Sequence, residues 1–303
     1  VCVCVCICVE QPLSKRVVHI LGQRLQLFTH LPWWLQQMEC PYVTDGYRND
    51  LSYQQCLMSM FQLHNETVNI WTHFIPAVLC LPLAWYDITV SVPGLHGNRA
   101  DYVTMAIFHL SCLIIFWASV YFHVFNAQGC RCVYEQCLGV DLWGIGVATC
   151  CYAVVYINYA FCCSLWWQIF YLSWIGCLIT WYSVIWLHPR MVSSWLPMER
   201  RLVAYAPLFV VLMGALFPHP LILNRHWPNN LAQIFALHWM QPFAILVFGV
   251  VVFSLKIPER WWPGLFNIWG HSHQWWHIII VVLQLFLRRG TINSIQMELH
   301  TMC

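Results

Sequence analysis

Charge is what this chain has least of. Asp, Glu, Lys and Arg make up 9% of the 303 residues, against 60% hydrophobic and 16% aromatic, too few charges to solvate a water-soluble globule of this size. Lipid is the implied solvent. A net charge of +2, carried by scattered basic residues, gives no footprint for nucleic acid or a strongly acidic partner. A cleavable signal peptide is not evident, so insertion relies on the first spanning helix. A disulfide framework is not evident either. Of the 17 cysteines, four fall in the opening VCVCVCIC, and most others, such as Cys150, Cys151, Cys162, Cys163 and Cys177, lie in or at the ends of apolar runs, which is packing usage. The opening Val/Cys alternation reads as the translation of a two-letter nucleotide repeat. Residues 1–9 are therefore treated as artefactual, and the chain, which begins without Met, as a fragment or conceptual translation.

Long apolar runs are what the sequence does have. Seven reach the roughly 20 residues that cross a bilayer: Ile70 to Val92, Val103 to Asn126, Leu138 to Ala160, Leu165 to Leu187, Leu202 to Leu223, Ile234 to Leu255 and Ile268 to Leu287. The expected fold is all-α, a seven-transmembrane helical bundle. Its divisions are residues 1–40, then a cytosolic lead-in 41–67, the seven-helix domain 68–288 and a short tail 289–303. Pro76, Pro82, Pro207 and Pro242 fall inside runs and should kink helices without ending them. Placing the amino terminus in the cytosol puts Lys15, Arg16, Arg24, Arg48, Arg131, Arg190, Arg200, Arg201, Lys256 and Arg260 on that side and leaves only Arg99, Arg225, Arg288 and Arg289 opposite. Ten against four predicts a cytosolic amino terminus and a lumenal or extracellular carboxyl terminus.

Inside these runs stand polar residues that a membrane tolerates only for a reason. Asp141 lies near the start of the third; a snorkelling interfacial carboxylate is the bland alternative. His273 and His277 stand at i and i+4 in GHSHQWWH, so one helix face carries both rings. That spacing suits a metal pair, though two interfacial aromatics in a Trp-rich belt would look the same. His123 closes the second run in SVYFH, one turn after Ser119. The second run ends, and the third and seventh begin, on the same side of the membrane. His123, Asp141, His273 and His277 are therefore expected at similar depth. Three imidazoles leave a fourth position open, the pattern of catalytic zinc, although a structural Zn2+ site can use the same ligands. Asp141 suits holding or deprotonating a bound water, and Ser119 a supporting hydrogen bond. Cys130, Cys132 and Cys137, read as a loop, offer a thiolate or S-acylation alternative. Asn65-Glu66-Thr67 is a glycosylation sequon on the cytosolic side. It reads better as a helix start, with Asn65 or Thr67 capping and Glu66 near the positive helix end.

Gly46-Tyr47-Arg48 with HNETVNIWTH (His64 to His73), SVYFH with Asp141, and IPERWWPG (Ile257 to Gly264) with SHQWWH (Ser272 to His277) resemble the three motifs of the progestin and adipoQ receptor (PAQR) family, in order, from about Pro41 to Leu287. The resemblance implies a seven-helix fold with a cytosolic amino terminus, zinc on the residues matching His123, His273 and His277, and a water near Asp141. PYVTDGYR, Tyr86-Asp87 and Asn267 are most similar to the branch that holds Raf kinase at the Golgi and damps MAP-kinase signalling. Residues 1 to about 38 and the segment from Arg288 match poorly. The expectation is a zinc-containing, receptor-like Golgi membrane protein regulating Raf through its cytosolic face, with membrane lipid as partner and no nucleic acid. The alternatives are a zinc-dependent hydrolase of ceramide-like lipid amides and a receptor for a lipid, steroid or adipokine hormone at the plasma membrane. A cavity that touches the metal favours the enzyme, and a filled core with an aromatic cytosolic face favours the tether.

Overall fold

The computed structural model describes residues 25–195, 198–216 and 231–297. Among these, all regular structure is helical except an isolated bridge between Gln26 and Tyr47. Two short helices, α1 (Trp33–Gln36) and α2 (Tyr53–Ser59), precede the first long helix, in a lead-in that takes in residues 25–66 of the structure. Six long helices are apolar enough to cross a membrane: α3 (Thr67–Gly94), α4 (Arg99–Phe125), α5 (Arg131–Ala160), α6 (Leu165–Leu187), α9 (Leu231–Leu255) and α10 (Ser272–Gln296). Between α6 and α9 come the short α7 (Pro189–Trp195) and α8 (Met198–Leu216). The last stands where the fifth span is expected; that span's continuation to Leu223 lies outside the described residues.

Helix ends depart from the expected ones for local reasons. Asn98 and Asp101 form a capping box, with Asn98 Oδ1 accepting from Ala100 N at 2.7 Å and Asp101 Oδ2 from Asn98 N at 2.8 Å, so α4 begins four residues before Val103. The start of α5 moves back to Arg131, whose Nε donates to Glu135 across one turn at 2.8 Å. Cys132 and Cys137 thus sit on a helix and not in a loop. Cys150, Cys151, Cys162 and Cys177 carry free thiols, whereas Cys132 and Cys163 are each disulfide-bonded, and not to one another, since they lie near opposite ends of α5. Packing usage therefore fails for Cys163.

The seventh span is shifted most. It begins at Ser272 and runs through residues expected in a tail, as far as Gln296. Arg288 explains the extension. It turns inward and donates to both oxygens of the fully buried Asp87, from Nε at 2.7 Å and also from Nη2. His109 Nε2 and Ser91 Oγ complete that carboxylate's shell at 2.9 and 2.7 Å. An ionic group so satisfied can stay inside the bundle, and the helix need not end at it.

Close packing joins α4 to α5: a Cβ on Gly144 would lie 2.6 Å from that of Ala118. Outward faces carry exposed apolar side chains, including Leu79, Trp166 and Phe248, as a lipid-facing surface requires.

The lead-in folds back over the ends of α4 and α10. Gly46, at φ +93°, makes the turn and accepts from Asn65 N at 2.9 Å. Beside it the Arg48 guanidinium is buried, donating to His123 O at 2.7 Å, Asn126 Oδ1 at 3.1 Å and Ser59 Oγ at 2.5 Å. Burial lowers it to about 10, so it stays charged. His64 is held neutral. Burial, and next the Arg48 charge, push it down to about 3, which matches Nε2–H donating to Ser59 O at 3.0 Å while Nδ1 accepts from Glu66 N at 3.1 Å.

Replacing Arg48 by Ala strands buried acceptors at the end of α4. The expected cost is about 3 kcal/mol of stability, read as a lowered denaturation midpoint in detergent. Arg48→Lys should restore little, because one ammonium cannot span the same fork of acceptors.

Candidate metal centre

His123 occupies the last turn of α4, while His273 and His277 occupy the first two turns of α10. The structure brings all three together: one nitrogen from each lies within 4.8 Å of the others. Ring centroids are 5.0 Å apart for His123 and His273, 4.6 Å for His123 and His277, and 5.0 Å for His273 and His277.

The remaining nitrogens decide which atoms face inward. His123 Nδ1–H donates to Glu66 Oε2 at 2.6 Å, and its Nε2 is buried without a partner. His277 Nδ1–H donates to Asn69 O at 3.1 Å, leaving Nε2 as its free donor atom. A ring tied at one nitrogen to a carboxylate or carbonyl, with the other bare, is the usual state of a metal-ligating histidine. An orphaned buried imidazole nitrogen is costly without an occupant. The residues present therefore fit a metal ion bound by three imidazoles with a fourth position open.

Their supports come from far along the chain. Glu66 is held by Asn69 Nδ2 at 2.7 Å. Glu259, 1% exposed, accepts from Ser272 N at 2.7 Å and from Ser272 Oγ, capping α10 and fixing where its first turn presents His273. His271 Nε2 donates to Asn65 O at 3.1 Å. The expected caps on α3 are not the ones formed. Its N-cap is Glu66, with no side-chain cap bond; Thr67 Oγ1 instead donates back to Gln62 O at 2.7 Å, and Asn65 Nδ2 turns to Glu66 Oε1 at 3.4 Å. Glu66 is spent on His123, which is why dipole compensation alone undervalued it.

Asp141 and Ser119 are not among the converging donors. Asp141, on α5, is within electrostatic reach of His123 and Arg201, and Ser119 is buried one turn before His123. Neither makes a hydrogen bond to the three rings. A fourth imidazole went unassigned: His73, 2% exposed, stacks on His277 with centroids 3.9 Å apart. In the sequence His73 is marked only as the last residue of the motif HNETVNIWTH.

A cavity of about 140 Å3 lies against His123 and His273, walled by Glu39, Tyr47, Arg201, Lys256 and Glu259 among others. Glu39 reaches it from the lead-in. Burial, and next the charge of Glu66, raise its carboxyl to about 7 despite the bond from Tyr134 Oη at 3.1 Å. No periodicity marks such a residue, since it lies in an irregular segment.

The support from Glu66 is directly testable. Glu66→Gln keeps the shape but weakens the acceptor for His123 Nδ1–H, and metal affinity measured by chelator competition should fall 10- to 100-fold. Unchanged affinity would contradict the assignment.

Residues 61–287 match the family described as Haemolysin-III related. The chain is 29% identical over 275 residues to human "Progestin and adipoQ receptor family member 3", covering 91% of this chain and 87% of the relative. It is 28% identical over 352 residues to "Heptahelical transmembrane protein 5" of Arabidopsis thaliana, covering 88% and 90%. Against the "Adiponectin receptor protein" of Drosophila melanogaster it is 28% identical over 260 residues, covering 84% and 56%. With its motifs in order and its long helices in a single bundle, the chain belongs to the Haemolysin-III-related, progestin and adipoQ receptor family of integral membrane proteins.

Proposed function

We propose that this is a zinc-holding, receptor-like protein of the Golgi membrane, amino terminus in the cytosol, that damps Raf and MAP-kinase signalling through its cytosolic face. The observation that carries the metal is the convergence of His123, His273 and His277, since neutral imidazoles in a closed apolar bundle suit zinc. Similarity to family member 3 over 91% of the chain supports the location and the kinase. The lead-in supports it further. Trp33, Tyr53, Phe61 and Leu63 are exposed on it, as are Trp261 and Trp262 on the neighbouring loop, while Arg48 pins the same segment to the helix that carries His123. On this reading the metal centre anchors the surface that a partner meets.

The cavity at His123 and His273 favours a second reading, a hydrolase of lipid amides such as ceramide. Zinc bound there would supply Lewis acidity and a water acidified to a pKa of about 7. Of the chain's own residues, Asp141 would orient or deprotonate that water with Ser119 as a supporting hydroxyl, and Glu39, in the cavity wall, could shuttle a proton.

Asp141→Asn separates the readings. Asp141 is not needed to complete the histidine set, so zinc content should stay near one per chain, measured after chelator-free extraction. For a regulator, suppression of Raf signalling should persist, because removing an intramembrane charge relieves a cost. Measurable wild-type ceramide cleavage that falls about 100-fold or more in the variant would replace the tether reading with the enzyme.

A further inference from the structure

Away from the metal centre, two thiols meet an imidazole between α3 and α4. Cys80 and Cys112 carry free thiols, 5% and 4% exposed, midway along those two helices. Their side chains are hydrogen-bonded to one another. Cys80 Sγ also lies 3.6 Å from His109 Nδ1. The opposite ring nitrogen, Nε2, donates to Asp87 Oδ2 at 2.9 Å, which leaves Nδ1 a bare lone pair beside the thiol. Cys112 Sγ reaches Gln284 Oε1 at 3.6 Å. By helical rise Cys112 stands about 16 Å from His123 on the same helix, so this is a second polar site and not an edge of the first.

Thiol, imidazole and carboxylate in that order are the parts that activate a sulfur nucleophile. The carboxylate is aimed by its own backbone. Asp87 opens a π-helical turn of α3, Asp87–Ser91, and Ser91 Oγ donates to it at 2.7 Å; such local widenings recur at functional sites. A buried thiol without a base is inert. Cys150 is such a thiol, 0% exposed and with the thiol of Cys151 as its titratable neighbour. The enclosure of Cys80 and Cys112 also selects the reagent. At 4 to 5% exposure a molecule the size of water can reach them, and a bulky organic disulfide cannot.

We propose that Cys80 and Cys112 form a pair that reacts with hydrogen peroxide, Cys80 attacking and Cys112 resolving, with His109 as the base. The Cys80 proton passes to His109 Nδ1, and the thiolate sulfur attacks one peroxide oxygen. An S–O bond forms as the O–O bond breaks, and the departing hydroxide takes the proton from His109 and leaves as water. Cys80, oxidised by two electrons, is then a sulfenic acid. The Cys112 sulfur attacks it, an S–S bond forms, the S–O bond breaks, and hydroxide leaves with the Cys112 proton as a second water. Two thiols and one peroxide thus become one disulfide and two waters. The disulfide ties α3 to α4, which the bond from His123 to Glu66, the N-cap of α3, already joins at the metal end. Peroxide exposure is recorded as a cross-link inside the bundle. This site rests on neither zinc nor Raf.

The test treats the purified, reduced full chain in detergent with hydrogen peroxide or, separately, with glutathione disulfide, then blocks the remaining thiols and maps the peptides by mass spectrometry. Peroxide should yield a Cys80–Cys112 cross-linked peptide about tenfold or more faster than it oxidises Cys150 or Cys177. Glutathione disulfide should yield none. Cys112→Ser should abolish the cross-link and leave on Cys80 a sulfenic acid that dimedone traps, and His109→Gln should slow cross-linking about tenfold or more. Absence of the cross-link in the wild type, or Cys80 oxidised no faster than Cys150, would overturn the proposal; that comparison stands even if a variant fails to fold. Equal cross-linking by glutathione disulfide would overturn the selection of a small oxidant. A sulfenic acid formed on Cys112 of Cys80→Ser at the wild-type rate, or an unchanged rate in His109→Gln, would overturn the roles assigned to the pair and its base.

Discussion

The structure turns on the 2.6 Å hydrogen bond between Glu66 and His123 Nδ1. A carboxylate and an imidazole can both be buried in an apolar bundle only if each answers the other, because an unpaired charge or an unmet ring nitrogen is heavily penalised there. Once Glu66 takes Nδ1, the inward atom of His123 is fixed as Nε2, and the neighbouring interactions serve the same geometry. Asn69 steadies Glu66 with its amide and takes His277 Nδ1 with its carbonyl. Arg48 holds the last turn of α4 by its carbonyls. Glu259 sets the first turn of α10. The lead-in and the loop before α10 are thus parts of the site and not merely connections to it.

Much of this was legible in the sequence, for a physical reason. Apolar runs of bilayer length locate the long helices, and the parity of membrane crossings puts His123, His273 and His277 at one depth without knowledge of packing. Connectivity says nothing about rotation, however. It could not rank Asp141 below the histidines as a converging donor, nor pick out His73. Supporting residues were harder still. Glu66 looks like a charge placed for a helix dipole, and Glu259 like part of a loop, because their partners lie 57 and 13 residues away. Helix ends moved where a side chain could not be seen to have a partner: Arg288 reads as a boundary until Asp87 is found opposite it.

The bundle is therefore pinned by polar clusters at two levels. At one level the histidines, Glu66 and Arg48 join α3, α4 and α10 to the lead-in. At the other, Asp87, His109 and Arg288 join the same three helices again. Because α10 carries two of the histidines and also Arg288, its height and rotation are set from both ends. A helix so constrained can keep imidazole nitrogens aligned to a few tenths of an ångström, which an open metal site needs if it is to hold an ion without a fourth protein ligand.

The central claim is that three imidazoles, with no sulfur, hold a metal where these helices meet. X-ray absorption at the zinc edge, on protein extracted without chelators, tests it most directly. The account predicts about three nitrogen scatterers of imidazole type at about 2.0–2.1 Å with one further light atom. Sulfur at about 2.3 Å, or protein without stoichiometric metal, would contradict it.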